Sequence, residues 1–139
     1  MLAAGLAAGL AVVTLFSCFA CKGERERKLA AEAQRMVQKI NQLRDSPNNQ
    51  RTQPLRELSA EACSQPPVCE LKQVCLQAYT LHEKSLEAAQ RVREALREGT
   101  ANRAGAAELL RVSEADIERA RKLTHHCVEL QGELEREAR

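Results

Sequence analysis

Cysteine and histidine are the residues of this chain whose side chains could carry out chemistry. The 139 residues include six cysteines, at positions Cys18, Cys21, Cys63, Cys69, Cys75 and Cys127. A thiol can form a disulfide, bind a metal or act as a nucleophile. The gaps between the four distal cysteines do not match the close pairs typical of structural zinc sites. We therefore expect disulfides there, and no metal or other cofactor.

The three histidines give a weaker signal. His125 and His126 directly precede Cys127, which invites a metal-site or nucleophile interpretation. Adjacent residues of a helix point about 100° apart, so the two histidines cannot both share the face of Cys127. His82 falls opposite Ala120 on an apolar face, where a partly buried histidine beside a small residue is the simpler interpretation. Without a recognisable catalytic constellation or phosphate-binding loop, the sequence predicts no enzyme and no small-molecule substrate.

Two long helical patterns must position the distal cysteines, over about residues 69–98 and 104–137. Apolar or small residues recur at alternating steps of four and three, the heptad spacing of packed helices. The first seam is Leu71, Cys75, Ala78, His82, Ser85, Ala89, Val92 and Leu96. The second is Ala106, Leu110, Ser113, Ile117, Ala120, Thr124, Cys127, Gln131 and Leu134, flanked by Leu109, Leu123 and Leu130. The patterns predict an antiparallel helical hairpin.

The register of this hairpin predicts how the cysteines pair. A turn near Ala101 places Ser85 opposite Ile117 and Cys75 opposite Cys127, which indicates a Cys75–Cys127 disulfide. The remaining pair, Cys63–Cys69, would then staple the corner around a double proline. As an alternative for the second helix, the run Ser113-Glu114-Ala115-Asp116 has the form of a capping box and could begin a separate helix.

A third helical pattern covers about residues 24–45, with an apolar stripe at Leu29, Ala33, Met36, Val37, Ile40 and Leu43. It stops at Pro47, which disfavours helix for the residue before it. The polar residues 46–54 are expected to form a loop, followed by a short helix over 55–63. The fold class is therefore all-α, and residues 18–139 are expected to form one small disulfide-stapled domain.

Composition limits what this domain can bind. Charged residues make up 29% of the chain, and the net charge is +2. Their signs are interspersed, so no basic face of the kind that binds nucleic acid is evident. Tyr79 is the single aromatic residue beyond the N-terminal segment, which leaves no stacking platform for nucleic acid. A core of leucine and alanine in so small a domain buries little apolar surface, and disulfides would supply the missing stability.

The N-terminal residues 1–21 are apolar and uncharged, and a charged run begins at Lys22. Within them, Leu15-Phe16-Ser17-Cys18 resembles the lipobox of bacterial lipoproteins, with leucine three before the cysteine and a small residue directly before it. The resemblance implies that residues 1–17 are a signal peptide and that Cys18 carries the lipid. Cys21, which follows the small residue Ala20, is the alternative attachment site.

The resemblance also implies a location. It predicts a small helical lipoprotein of the bacterial cell envelope, facing the periplasm and held to the membrane by its N-terminal lipid. For the body, which carries no catalytic or ligand-binding signature, we expect a structural or protein-interaction role. A secretory signal usually begins with lysine or arginine, which this segment lacks. One alternative is therefore a transmembrane anchor over 2–21 carrying a cytoplasmic coiled-coil domain. The other alternative is that the protein is a metal- or ligand-binding sensor.

Overall fold

The computed structural model describes the backbone of residues 11–99 and 102–137, and the side chains from residue 23 onward except residue 103. Within these ranges the chain forms four α-helices, one short 3-10 turn and no strand. The helices are α1 (Ala11–Asp45), α2 (Thr52–Ala60), α3 (Pro66–Arg97) and α4 (Arg103–Glu137). The predicted all-α class is confirmed.

Helices α3 and α4 form the predicted antiparallel hairpin. Helix α3 ends at Arg97. Gly99, two residues later, has a φ of 68°, the left-handed conformation that glycine adopts most readily after a helix. Asn102 then caps α4, because its side-chain oxygen accepts a hydrogen bond from the Ala104 amide at 3.0 Å. Helix α4 continues without interruption through Ser113, so the alternative helix start there is wrong.

The helix boundaries differ from the predicted ones in four places, one of which is the end of α2 at Ala60 rather than at residue 63. Helix α1 already extends back to Ala11, since the step from apolar to charged residues at Lys22 does not disfavour helix. Helix α3 begins at Pro66 rather than residue 69, because proline is tolerated in a first helical turn. The loop predicted over 46–54 ends earlier, because α2 begins at Thr52 and its first turn tolerates Pro54.

The core lies where α1 and α2 pack against the base of the hairpin. It is built from Ala33, Met36, Ile40, Leu43, Leu58, Val68, Leu71, Cys75, Tyr79, Cys127 and Leu134. Most of the predicted α1 stripe is therefore buried, and the rest packs against it. Helix α1 runs parallel to α3. Near the start of α3, Glu32 of α1 contacts Ser64. Further along both helices, the C-terminal end of α1 lies beside Arg51, which stacks on Tyr79 of α3.

Both predicted disulfides are present. The α carbons of Cys75 and Cys127 lie 5.1 Å apart, and both residues are buried in the core. This bond joins the two arms of the hairpin. The α carbons of Cys63 and Cys69 are 5.4 Å apart, and their bond closes the corner between α2 and α3.

The same corner is held from both sides by charged groups. The Glu32 carboxylate accepts hydrogen bonds from the Ser64 amide at 2.6 Å, the Gln65 amide at 3.0 Å and the Ser64 hydroxyl at 2.6 Å. The Lys72 ammonium donates to the carbonyls of Ser59 at 2.7 Å and Glu61 at 2.6 Å, which lie at the end of α2. Backbone groups left over at the ends of two helices are thereby satisfied.

Glu32 is buried, yet its pKa is lowered. Burial by itself would raise the pKa of this carboxyl, but hydrogen bonds from two backbone amides and the Ser64 hydroxyl outweigh it, with help from the Arg35 charge. Because the folded-state pKa lies below the unfolded value, Glu32 stabilises the fold at neutral pH. That stabilisation is lost as the pH falls through the folded-state pKa.

The substitution Glu32→Gln removes the charge from these hydrogen bonds. We expect it to lower the free energy of unfolding at pH 7 by about 1.5–3 kcal/mol, the usual strength of a hydrogen bond to a charged group. Denaturant unfolding of the full chain, followed by circular dichroism, measures this. The free energies of unfolding of the two proteins should converge as the pH falls through the lowered folded-state pKa of Glu32. The control Glu26→Gln alters an exposed residue of the same helix, and an equal loss there would contradict the assignment.

The two disulfides should differ in how much they stabilise the fold. In the loop-entropy model a longer closed loop gives more stabilisation. The Cys75–Cys127 bond spans 52 residues and the Cys63–Cys69 bond spans six. Replacing Cys75 and Cys127 together with alanine should cost about 4 kcal/mol of unfolding free energy, and replacing Cys63 and Cys69 about 2 kcal/mol. The reverse order in denaturant unfolding would contradict this account.

Candidate interaction surface

Small residues line the contact between α3 and α4 beyond the core. Ala78 and Ser85 on α3, and Ser113 and Ala120 on α4, are buried. On each helix they are seven residues apart and therefore share one face. The Ser113 hydroxyl donates to the Ser85 carbonyl at 3.3 Å, and the Ser85 hydroxyl lies 2.9 Å from the Leu81 carbonyl of its own helix. Side chains of this size let the two backbones approach closely.

This close approach leaves the larger apolar residues of the predicted seam outside it. Leu96, Leu110 and Ile117 are 59%, 43% and 49% exposed. The predicted pairing of Ser85 with Ile117 is wrong, because Ser85 meets Ser113, about one helical turn from Ile117. Conversely, the leucines expected only to flank the second seam are partly buried: Leu109, Leu123 and Leu130.

The exposed residues lie on the part of the hairpin that extends past α1 and α2. The core reaches Tyr79 on α3, and from Tyr79 to Arg97 the helix continues for about 27 Å. At the base, by contrast, α1 contacts α4 through a 3.1 Å hydrogen bond from Gln131 to Asn41. We call the surface formed by Leu96, Leu110 and Ile117, with the groove beside Ile117, the distal face.

The groove of the distal face has a volume of about 380 Å³. It is lined by Arg51, Tyr79, His82, Ile117, Ala120, Arg121 and Thr124. His82 is partly buried and lies beside Ala120, as the sequence predicted. Apolar side chains such as Ile117 and Ala120 line this groove together with the side chains of Arg51 and Arg121, and this mixture suits it to binding an amphipathic chain.

The other residues singled out for chemistry do not converge on a site. The four distal cysteines are all disulfide-bonded. The nearest atoms of His125 and His126 to the Glu129 carboxylate lie at 3.3 and 3.7 Å, on an exposed surface. In the described ranges, no group of three or more histidine, cysteine, aspartate or glutamate side chains could hold a metal ion.

The N-terminal predictions fall largely outside what the structure describes. The side chains of Cys18 and Cys21 are beyond the described ones, and so are residues 1–10 of the proposed signal peptide or anchor. Among the residues that are described, no helix is both long and apolar enough to cross a bilayer. Comparison with known proteins finds no matching family, no matching curated protein and no matching solved structure.

The small-residue contact makes a specific prediction about Ala120, which is 4% exposed. Ala120→Leu inserts a larger side chain between the two helices and should lower the free energy of unfolding by about 1–3 kcal/mol. Ala107→Leu, at an exposed position of the same helix, makes the same chemical change without crowding and should alter stability by less than about 0.5 kcal/mol. Denaturant unfolding compares the two, and equal effects would exclude tight packing at Ala120.

Proposed function

We propose that this protein is a small, membrane-tethered helical lipoprotein of the bacterial cell envelope that binds a partner protein. The observation that carries the proposal is the buried disulfide between Cys75 and Cys127. Disulfides form and persist in oxidising compartments and are rare in the cytosol. A second disulfide, at Cys63 and Cys69, supports the same location, with the helical body on the periplasmic side.

The attachment to the membrane rests on the lipobox-like run that ends at Cys18. Cleavage before Cys18 would leave a lipid-bearing cysteine at the start of the mature chain. Two or more acyl chains anchor a protein stably, because each buried methylene contributes about 0.8 kcal/mol. Residues 23–31 of α1 come after this cysteine and before the buried part of the helix. They span roughly 14 Å and would act as a charged helical spacer.

The direction of the helices supports an interaction role. Because α1 runs parallel to α3, its N-terminal end lies at the base of the hairpin, and the hairpin turn lies at the opposite end. A protein held by its N-terminus would therefore present the distal face away from the membrane. An exposed apolar surface at that end is typical of a site for another protein.

Mass spectrometry of the membrane fraction from cells that express the full chain tests this proposal. We expect an N-terminal peptide that begins at Cys18 and carries a diacylglyceryl group and an acylated amine. Cys18→Ser should abolish the modification and leave residues 1–17 attached, whereas Cys21→Ser should leave the lipid in place. An intact Met1, together with alkylatable thiols at Cys75 and Cys127, would contradict the proposal and favour a cytoplasmic domain on a membrane anchor.

A further inference from the structure

We propose that the distal face binds a single amphipathic helix of a partner protein, with an apolar stripe bordered by acidic residues. The inference rests on the interaction role proposed above and specifies the partner. It starts from shape: the strip from Tyr79 to the end of α3 at Arg97 is about 27 Å long, which matches a helix of about 18 residues. An amphipathic helix lying in an apolar groove is a common form of peptide recognition.

The apolar contacts of this site would come from both arms of the hairpin. Leu96 belongs to α3, and Leu110 and Ile117 belong to α4, with between 43% and 59% of each residue exposed. Leu110 and Ile117 are seven residues apart, so they follow the same side of α4. Together with the shallow groove beside Ile117, these three side chains provide the contact surface for the partner's apolar stripe.

Charge around the distal face selects an acidic partner. Arg51 and Arg121 line the groove, and Arg93 lies within one helical turn of Leu96, followed four residues later by Arg97. Three glutamates lie near these arginines: Glu94 lines a surface hollow together with Arg93 and Arg97, and Glu114 and Glu118 lie on α4. Glu118 is 2.9 Å from Arg121. Among the described residues no carboxylate forms an ion pair with Arg51, Arg93 or Arg97. Within the described chain, Arg51 and Arg93 donate hydrogen bonds only to backbone carbonyls. Arginines without carboxylate partners favour carboxylates on the helix that binds.

The same charges disfavour two other occupants. A second copy of this chain would bring the arginines of the two distal faces together, which opposes pairing. The described N-terminal part of α1 leads away from the hairpin turn and therefore does not cover the distal face. A helix from another protein remains as the occupant that fits both the shape and the charge.

Two synthetic 18-residue helical peptides with the same leucine stripe provide the test. One has glutamate beside the stripe and the other has lysine at the same positions. Fluorescence anisotropy with the full-length protein in detergent measures their binding. We expect the glutamate peptide to bind at least tenfold more tightly, and its affinity to fall as salt is added.

Two substitutions locate the binding. Leu110→Asp should weaken binding of the glutamate peptide at least tenfold. Val112→Asp is the matched control, because Val112 is 45% exposed against 43% for Leu110 but points about 200° away on the helix. It should change binding by less than twofold. Since both positions are exposed, circular dichroism should show that both variants remain folded.

Three results would overturn the inference. The first is equal binding of the two peptides, or binding of neither. The second is an equal loss for Leu110→Asp and Val112→Asp. The third is a dimer in sedimentation that Leu110→Asp dissociates, which would identify a second copy as the occupant. The peptide-binding measurements do not depend on lipidation. The lipoprotein proposal is tested separately by the mass of the N-terminal peptide, so failure of one proposal can be told from failure of the other.

Discussion

The covalent bond between Cys75 and Cys127 is the constraint on which this structure depends. The body of the protein has one aromatic residue, and its core is assembled from small and aliphatic side chains. Few large side chains mean little apolar area to bury, so the hydrophobic contribution to stability is modest. The disulfide sits where α1 meets both arms of the hairpin. It joins the two arms of the hairpin within the base and reduces the entropy of the unfolded chain by closing a long loop.

Beyond that bond, the size of the contacting residues determines what the surface offers. Alanine and serine at Ala78, Ser85, Ser113 and Ala120 let α3 and α4 pack backbone against backbone, with their hydroxyls satisfied by carbonyls. A contact this narrow has no room for Leu110 or Ile117. The tight packing of two helices and the exposure of apolar side chains beside them therefore have one physical cause.

Much of the fold could be predicted from the sequence, because its determinants are local or periodic. Heptad spacing and one turn were enough to pair Cys75 with Cys127. The buried residues of α4 all belong to the predicted seam. The exposure of Leu110 and Ile117 within that seam was not predicted, because apolarity alone does not distinguish alternating heptad positions. Residue size does: Ser113 and Ala120 are small and seven apart, whereas Leu110 and Ile117 are large. The role of Glu32 could not have been found, since its partners lie more than thirty residues away and share no motif with it.

The parallel course of α1 and α3 has a mechanical consequence. Tension between the N-terminus and the hairpin turn enters through α1 at the base and leaves along α3 and α4 together. The cross-link at Cys75 and Cys127 keeps the two arms together at that level, so a separation of α3 from α4 that starts at the turn ends at these two residues.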